Sequence, residues 1–230
     1  MPAPTIADPQ APEPVSDPVA GRPLLRGWLH LVAAVVALVA APFVVARAPT
    51  AGAAAALAIY MTSIVALFGV SAAFHRVRWA PAARRRMRRA DHATIFIAIA
   101  GTNTAVAGLA LRGWAQVLIL ALVWGGAVVG ISVRQLWLDA PKWAVAVPYV
   151  VVGWCALVVA PQLLHALGGA GFGLLAAGGA FYTMGALVYA RRKPDPVPGV
   201  FGYHEVFHAC TVVGATLHFV VIVLYALPRA

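Results

Sequence analysis

The sequence predicts an all-α polytopic membrane protein, a seven-transmembrane-helix bundle with its N-terminus in the cytoplasm. Three observations carry that expectation. Of 230 residues, 62% are hydrophobic and only 10% are charged, with a mean hydropathy of +0.86, whereas a soluble domain carries about 25% charged residues. The apolar residues fall into seven runs, each close to the about 20 residues that cross a bilayer as a helix. The cations segregate between those runs in the way cytoplasmic loops demand.

In chain order, residues 1–22 are rich in Pro and Ala and contain Asp8, Glu13 and Asp17. They lack the basic start and apolar core of a secretory signal and are expected to form a disordered cytoplasmic tail. Residues 23–230 are expected to form one transmembrane domain with spans at 28–46, 52–74, 93–111, 114–133, 143–162, 170–190 and 206–227. Only Arg112 and Gly113 separate the third run from the fourth, and Pro148 interrupts the fifth. Glycines at 168–173 and 178–179 suit close helix packing in lipid.

Orientation follows from the Lys and Arg count. The tail segment, with Arg22 and Arg26, and the loops after spans two, four and six hold 14 of the 17 cations; the opposite side holds Arg47, Arg112 and Arg229. Six or eight spans would break this segregation at one end, so the N-terminus is placed inside and the C-terminus outside. The formal charge of +10 therefore points to anionic membrane lipids as partners and not to nucleic acid, because the cations lie in short loops and not on a folded basic face. Cys155 and Cys210 both fall in apolar runs and read as small core residues, not as a disulfide framework.

Ionisable groups at membrane spans are costly, so each is a functional candidate. His75 closes the second span, Asp91 and His92 open the third, and His204, Glu205 and His208 open the seventh. All lie at the cytoplasmic level. His204 and His208 are four apart and share a helix face, about 6 Å apart along the axis. With His75 from a second helix they make three protein ligands with one position open, the pattern of catalytic zinc. Ser71 shares the helix face of His75, and Asp91 can reach the same pocket; a hydroxyl and a carboxylate there suit the orientation and deprotonation of a water at the metal.

The string HEVFH fits the HExxH metalloprotease pattern, but in a membrane helix Glu205 reads as a solvated charge at a helix N-terminus. His30, His165 in an outer loop, and His218, about 15 Å deeper than His208, are expected to be packing histidines bonded to neighbouring helices. The same reading is given to Thr102, Asn103 and Thr104 within the third span. The run Arg84-Arg85-Arg86-Met87-Arg88-Arg89 is sufficiently explained by topology.

At these residues the chain resembles the hemolysin III group of the progestin and adipoQ receptor family, which includes the adiponectin receptors. The resemblance rests on Ser71-Ala72-Ala73-Phe74-His75, on Arg89-Ala90-Asp91-His92 with Ile95 to Thr102, and on Phe201 to His208 with Leu217-His218-Phe219. It implies a seven-helix bundle with zinc on His75, His204 and His208 and with Asp91 and Ser71 near the metal. It implies further a zinc-dependent hydrolase of lipid amides, ceramide-like, or esters, acting in membrane-lipid homeostasis, and a location in the bacterial cytoplasmic membrane. Relatives open the first span with a Glu, an Asn and a Thr-His pair, of which this chain keeps only His30. Two rival expectations stand beside the hydrolase: a membrane sensor or receptor with structural zinc, and a cytolytic, pore-forming hemolysin.

Overall fold

The computed structural model describes residues 23–230, so the expected tail at 1–22 lies outside the described residues. Every regular element is helical; among the described residues the sole β feature is an isolated bridge between Val197 and Phe201. Among the described residues six helical stretches are long and apolar enough to cross a membrane, which fits an integral multi-pass protein.

Helix α1 spans Trp28–Val45 and α2 spans Ala51–Arg76, the latter started by the Thr50 hydroxyl accepting the Ala53 N–H at 3.1 Å. Helix α3, Pro81–Ala110, begins twelve residues before the expected third span. Pro81 at its first turn needs no N–H partner, and the arginines that follow are good helix formers, so the basic run Arg84 to Arg89 extends the apolar helix beyond its hydrocarbon-length part. Helix α4 is Gly113–Leu136; the chain turns into it at Gly113, where φ of +60° suits a residue without a side chain.

The greatest departure from expectation lies next. The fifth and sixth predicted spans fall within one largely helical stretch, Lys142–Arg191, of 50 residues. It comprises α5 (Lys142–Trp154), a 3₁₀ segment at Cys155–Val159 and α6 (Ala160–Arg191). At 1.5 Å per residue an unbroken helix of that length would reach about 75 Å, more than twice the about 30 Å of hydrocarbon. It is not unbroken: Gly168 has φ 72° and ψ 169°, outside helical geometry. His165, expected in a loop, is instead helical and exposed. Helix α7, Tyr203–Val221, starts three residues before the predicted seventh span and continues through a π turn at Ile222–Ala226.

Apolar side chains face both ways, as expected when the outer solvent is lipid. Val32, Val35, Val36, Val39 and Phe43 of α1 are all more than half exposed, while His30, Ala34 and Ala37 turn inward. Helix α3 is the central element, with 61% of its most apolar window buried against 17% for α1 and α4. Close approach to it is made by small residues: a Cβ on Gly101 would stand 2.1 Å from Ser63 Oγ on α2. Cys210 is buried, Cys155 is half-buried, and both are free, as expected for small packing residues.

Candidate metal centre

The centre is assembled where the end of α2 meets the start of α7. Local sequence holds that start in place. The Glu205 carboxylate accepts the Gly202 N–H at 2.8 Å, and Asp195 accepts the Tyr203 N–H at 3.0 Å, satisfying donors that a helix N-terminus leaves open. With α7 helical from Tyr203, His204 and His208 fall one turn apart on one face, and their rings lie 4.5 Å centroid to centroid. His75, in the last turn of α2, brings its ring to 4.7 Å from His204 and 5.1 Å from His208.

Each of the three histidines offers one ring nitrogen, and these nitrogens all lie within 4.8 Å of one another. His75 Nε2 and His204 Nε2 are 3.2 Å apart. Two nitrogens bound tetrahedrally to one zinc at about 2.0–2.1 Å stand about 3.3 Å apart, so this spacing fits a shared ion. The donor set fits as well, being three imidazoles without a competing hard ligand among them. The sequence reading brought these three together correctly as a group able to hold a metal.

Ser71 and Asp91 line the same cavity as the three histidines. The cavity has a volume of about 220 Å³. Its wall combines the three histidines, Ser71 and Asp91 with apolar side chains that include Ile95, Ala98, Ile99, Val145, Ala146 and Val150. It runs as far as Thr102 and His218, so it extends along α3 and α7 into membrane depth.

Glu205 requires correction. It is not a solvated charge: it is 1% exposed and pairs with Arg26, which precedes α1. One carboxylate oxygen faces Arg26 and the other caps Gly202, so the HExxH spacing here serves the fold of the α7 start. The backbone of the same segment is tied down too, Leu24 N–H donating to Gly199 O at 3.0 Å and Leu25 N–H to Val200 O at 3.1 Å.

The other histidines are now placed. His92 turns to α4, where it accepts from buried Arg134, while Tyr149 of α5 donates to its backbone carbonyl at 3.2 Å. His218 bonds the Leu175 carbonyl on α6 at 3.0 Å, the interhelical bond expected of it. His30 was expected to be a packing residue; it is 2% exposed, and its ring stacks on that of His208 at 3.8 Å and 17°. It thereby forms part of the wall beside the histidine cluster. Sequence reasoning missed Tyr149, Tyr182, Tyr189 and Trp154, which line the cavity from α5 and α6. Aromatic residues in apolar runs carry no one-dimensional mark of the face they occupy. The pairing of Arg26 with Glu205, 179 residues apart, likewise has no local signal.

Residues 20–219 match the family model described as haemolysin-III related. The chain is 31% identical over 181 residues to the protein named Hemolysin-3 of Bacillus cereus, covering 79% of this chain and 80% of that protein. It is 30% identical over 135 residues to the Hemolysin-3 homolog of Bacillus subtilis (strain 168), covering 59% and 61%. The matched region takes in all three cluster histidines together with Ser71 and Asp91. The chain is therefore a member of the haemolysin-III related family, within the progestin and adipoQ receptor-like group.

Proposed function

We propose that this protein is an intramembrane zinc hydrolase that cleaves an amide or ester bond of a membrane lipid and so takes part in membrane-lipid homeostasis. The observation that carries the reading is the position of the histidine cluster: three convergent ring nitrogens in the wall of a cavity lined largely by apolar side chains. A reactive centre is thus joined to a compartment suited to an acyl chain.

His75, His204 and His208 would hold the ion, which when bound supplies a Lewis acid to polarise the carbonyl and acidify a water. The remaining steps belong to the chain. Asp91 orients the attacking water and accepts its proton on a carboxylate oxygen, then returns it to the leaving amine or alkoxide. Ser71, in the same cavity wall, directs that carboxylate by donating its hydroxyl proton to it. The apolar wall, with Ile95 and Ile99 on α3, takes up the acyl chain and keeps bulk water out. Glu205 has no step, since Arg26 and Gly202 occupy both its oxygens.

The reading includes seven crossings with the N-terminus in the cytoplasm of a bacterial inner membrane. The break at Gly168 inside an otherwise over-long helical stretch supports a fold-back there, and the segregation of 14 of 17 cations supports the orientation. The direct test is metal analysis by inductively coupled plasma mass spectrometry with fatty-acid release from a panel of lipid amides and esters. Wild type is expected to hold near-stoichiometric zinc and to release fatty acid, and a His204→Ala, His208→Ala variant to do neither. Equal release from both proteins would remove the hydrolase. Release of trapped dye from liposomes, beyond protein-free controls, would favour the lytic activity suggested by the relatives' names.

A further inference from the structure

The cavity has a second polar region, far from the histidine cluster. Thr102 and Asn103 of α3, Tyr182 of α6 and His218 of α7 all line it. His218 lies ten residues beyond His208, and Thr102 eleven beyond Asp91, so along both helices this region is about 15 Å from the cluster. Polar groups at such depth are expensive unless paired.

Part of their hydrogen-bonding capacity is used within the protein. Nε2 of His218 bonds the Leu175 carbonyl at 3.0 Å, and since a carbonyl only accepts, the proton is on Nε2 and Nδ1 carries a bare lone pair in the neutral ring. That Nδ1 is buried with no hydrogen-bond partner. Gly178 leaves room for the ring; a Cβ there would stand 2.3 Å from His218 Cδ2. Tyr182 meets the same ring edge-on at 5.4 Å. One N–H of the Asn103 amide donates to the Ile99 carbonyl at 2.9 Å, and the amide oxygen remains as an acceptor. Thr102 and Tyr182 bring two hydroxyl groups to the same cavity wall.

We propose that this region is a polar subsite that takes a hydroxyl group carried on the acyl chain of the ligand, about 15 Å from the group that meets the histidines. The donor and acceptor inventory selects a hydroxyl. Its O–H can donate to His218 Nδ1 or to the Asn103 oxygen, while its lone pairs accept from the Tyr182 or Thr102 hydroxyl. A keto group offers no donor, and an unsubstituted chain leaves the buried His218 Nδ1 unmatched. The proposal rests on the reading of the cavity as an acyl-chain site, but not on hydrolysis, and it makes the cavity a ruler that measures where a chain is hydroxylated.

The test compares 12-hydroxyoctadecanoic acid, whose hydroxyl lies at the matching distance from its carboxyl group, with octadecanoic acid. Affinities are read by displacement of a radiolabelled fatty acid from detergent-purified, full-length protein. Wild type is expected to prefer the hydroxy acid by about tenfold, the value of one well-made hydrogen bond to a buried partner. The Thr102→Val, Tyr182→Phe double variant, which keeps shape and removes both hydroxyls, is expected to bind the two acids within about twofold; if it does not fold, Tyr182→Phe alone is expected to lower the preference. Equal affinities in wild type, the result if water alone satisfies these groups, would overturn the proposal, and so would a preference that survives in the variants. Because binding is read without turnover, failure here leaves the hydrolase standing, and failure to release fatty acid leaves this subsite standing.

Discussion

Buried charge is where single residues decide most in this molecule. Glu205 is 1% exposed and Arg26 19%, and they pair across the gap between the segment before α1 and the first turn of α7. Removing one member of a buried pair leaves the other unpaired and costs more than the pair contributes. Arg26→Ala is therefore expected to destabilise the protein by about 2–3 kcal/mol. Adding Glu205→Gln should recover part of that loss, since a neutral amide can still accept from Gly202 without the buried charge. Thermal unfolding in detergent of wild type, the Arg26→Ala variant and the double variant decides the matter; a double variant less stable than Arg26→Ala would show that the pair is not the source of the effect. At this scale the sequence made the histidine cluster legible and hid the pair. His204 and His208 announce themselves by a spacing of four, and His75, Ser71 and Asp91 by polarity at the ends of apolar runs. Arg26 and Glu205 look like ordinary end-of-helix charges until the fold brings them together.

The elements were legible where they begin and end in sharp signals, and blurred where helix continues through a weak one. Hydropathy placed α1, α2 and α4 within a few residues, because Thr50, Arg112 and Gly113 punctuate the chain. It started α3 twelve residues late, at the start of the unbroken apolar run, since a run of arginines is unfavourable in hydrocarbon yet compatible with helix. It also drew a loop near 163–169, where the structure keeps helix on both sides of Gly168. The conformation of that residue, φ 72° and ψ 169°, is open essentially to glycine alone, so one residue is enough to separate two limbs of a 50-residue stretch. If the limbs cross the membrane separately, positions 165 and 193 lie on opposite faces. In a variant without native cysteines, a membrane-impermeant maleimide applied to intact cells should label His165→Cys and spare Lys193→Cys. Labelling of Lys193→Cys would mean that the stretch crosses once, and the orientation of everything after it would reverse.

For the whole molecule the central question is what the joining of α2 to α7 accomplishes. Their ends are brought together by His75, His204 and His208, with α1 wedged beside them through the stacking of His30 on His208. An ion bound there would hold the first and last parts of the bundle together, and binding free energy of this kind adds to folding stability. A purely structural ion and a catalytic one both predict that chelation lowers the unfolding temperature, so stability alone does not separate a sensor from a hydrolase. Asp91 separates them. It lies in the cavity wall with Ser71, outside the three-histidine set, and an outer partner of this kind can be removed with limited loss of metal affinity. Asp91→Ala is expected to retain zinc and an unfolding temperature within a few degrees of wild type, to show the same fall on chelation, and to lose fatty-acid release by a factor of about 100 or more, the contribution of a positioned general base. A variant that instead loses stability, in a protein whose wild type releases no fatty acid, would assign the bundle to sensing, with the ion as a staple between α2 and α7.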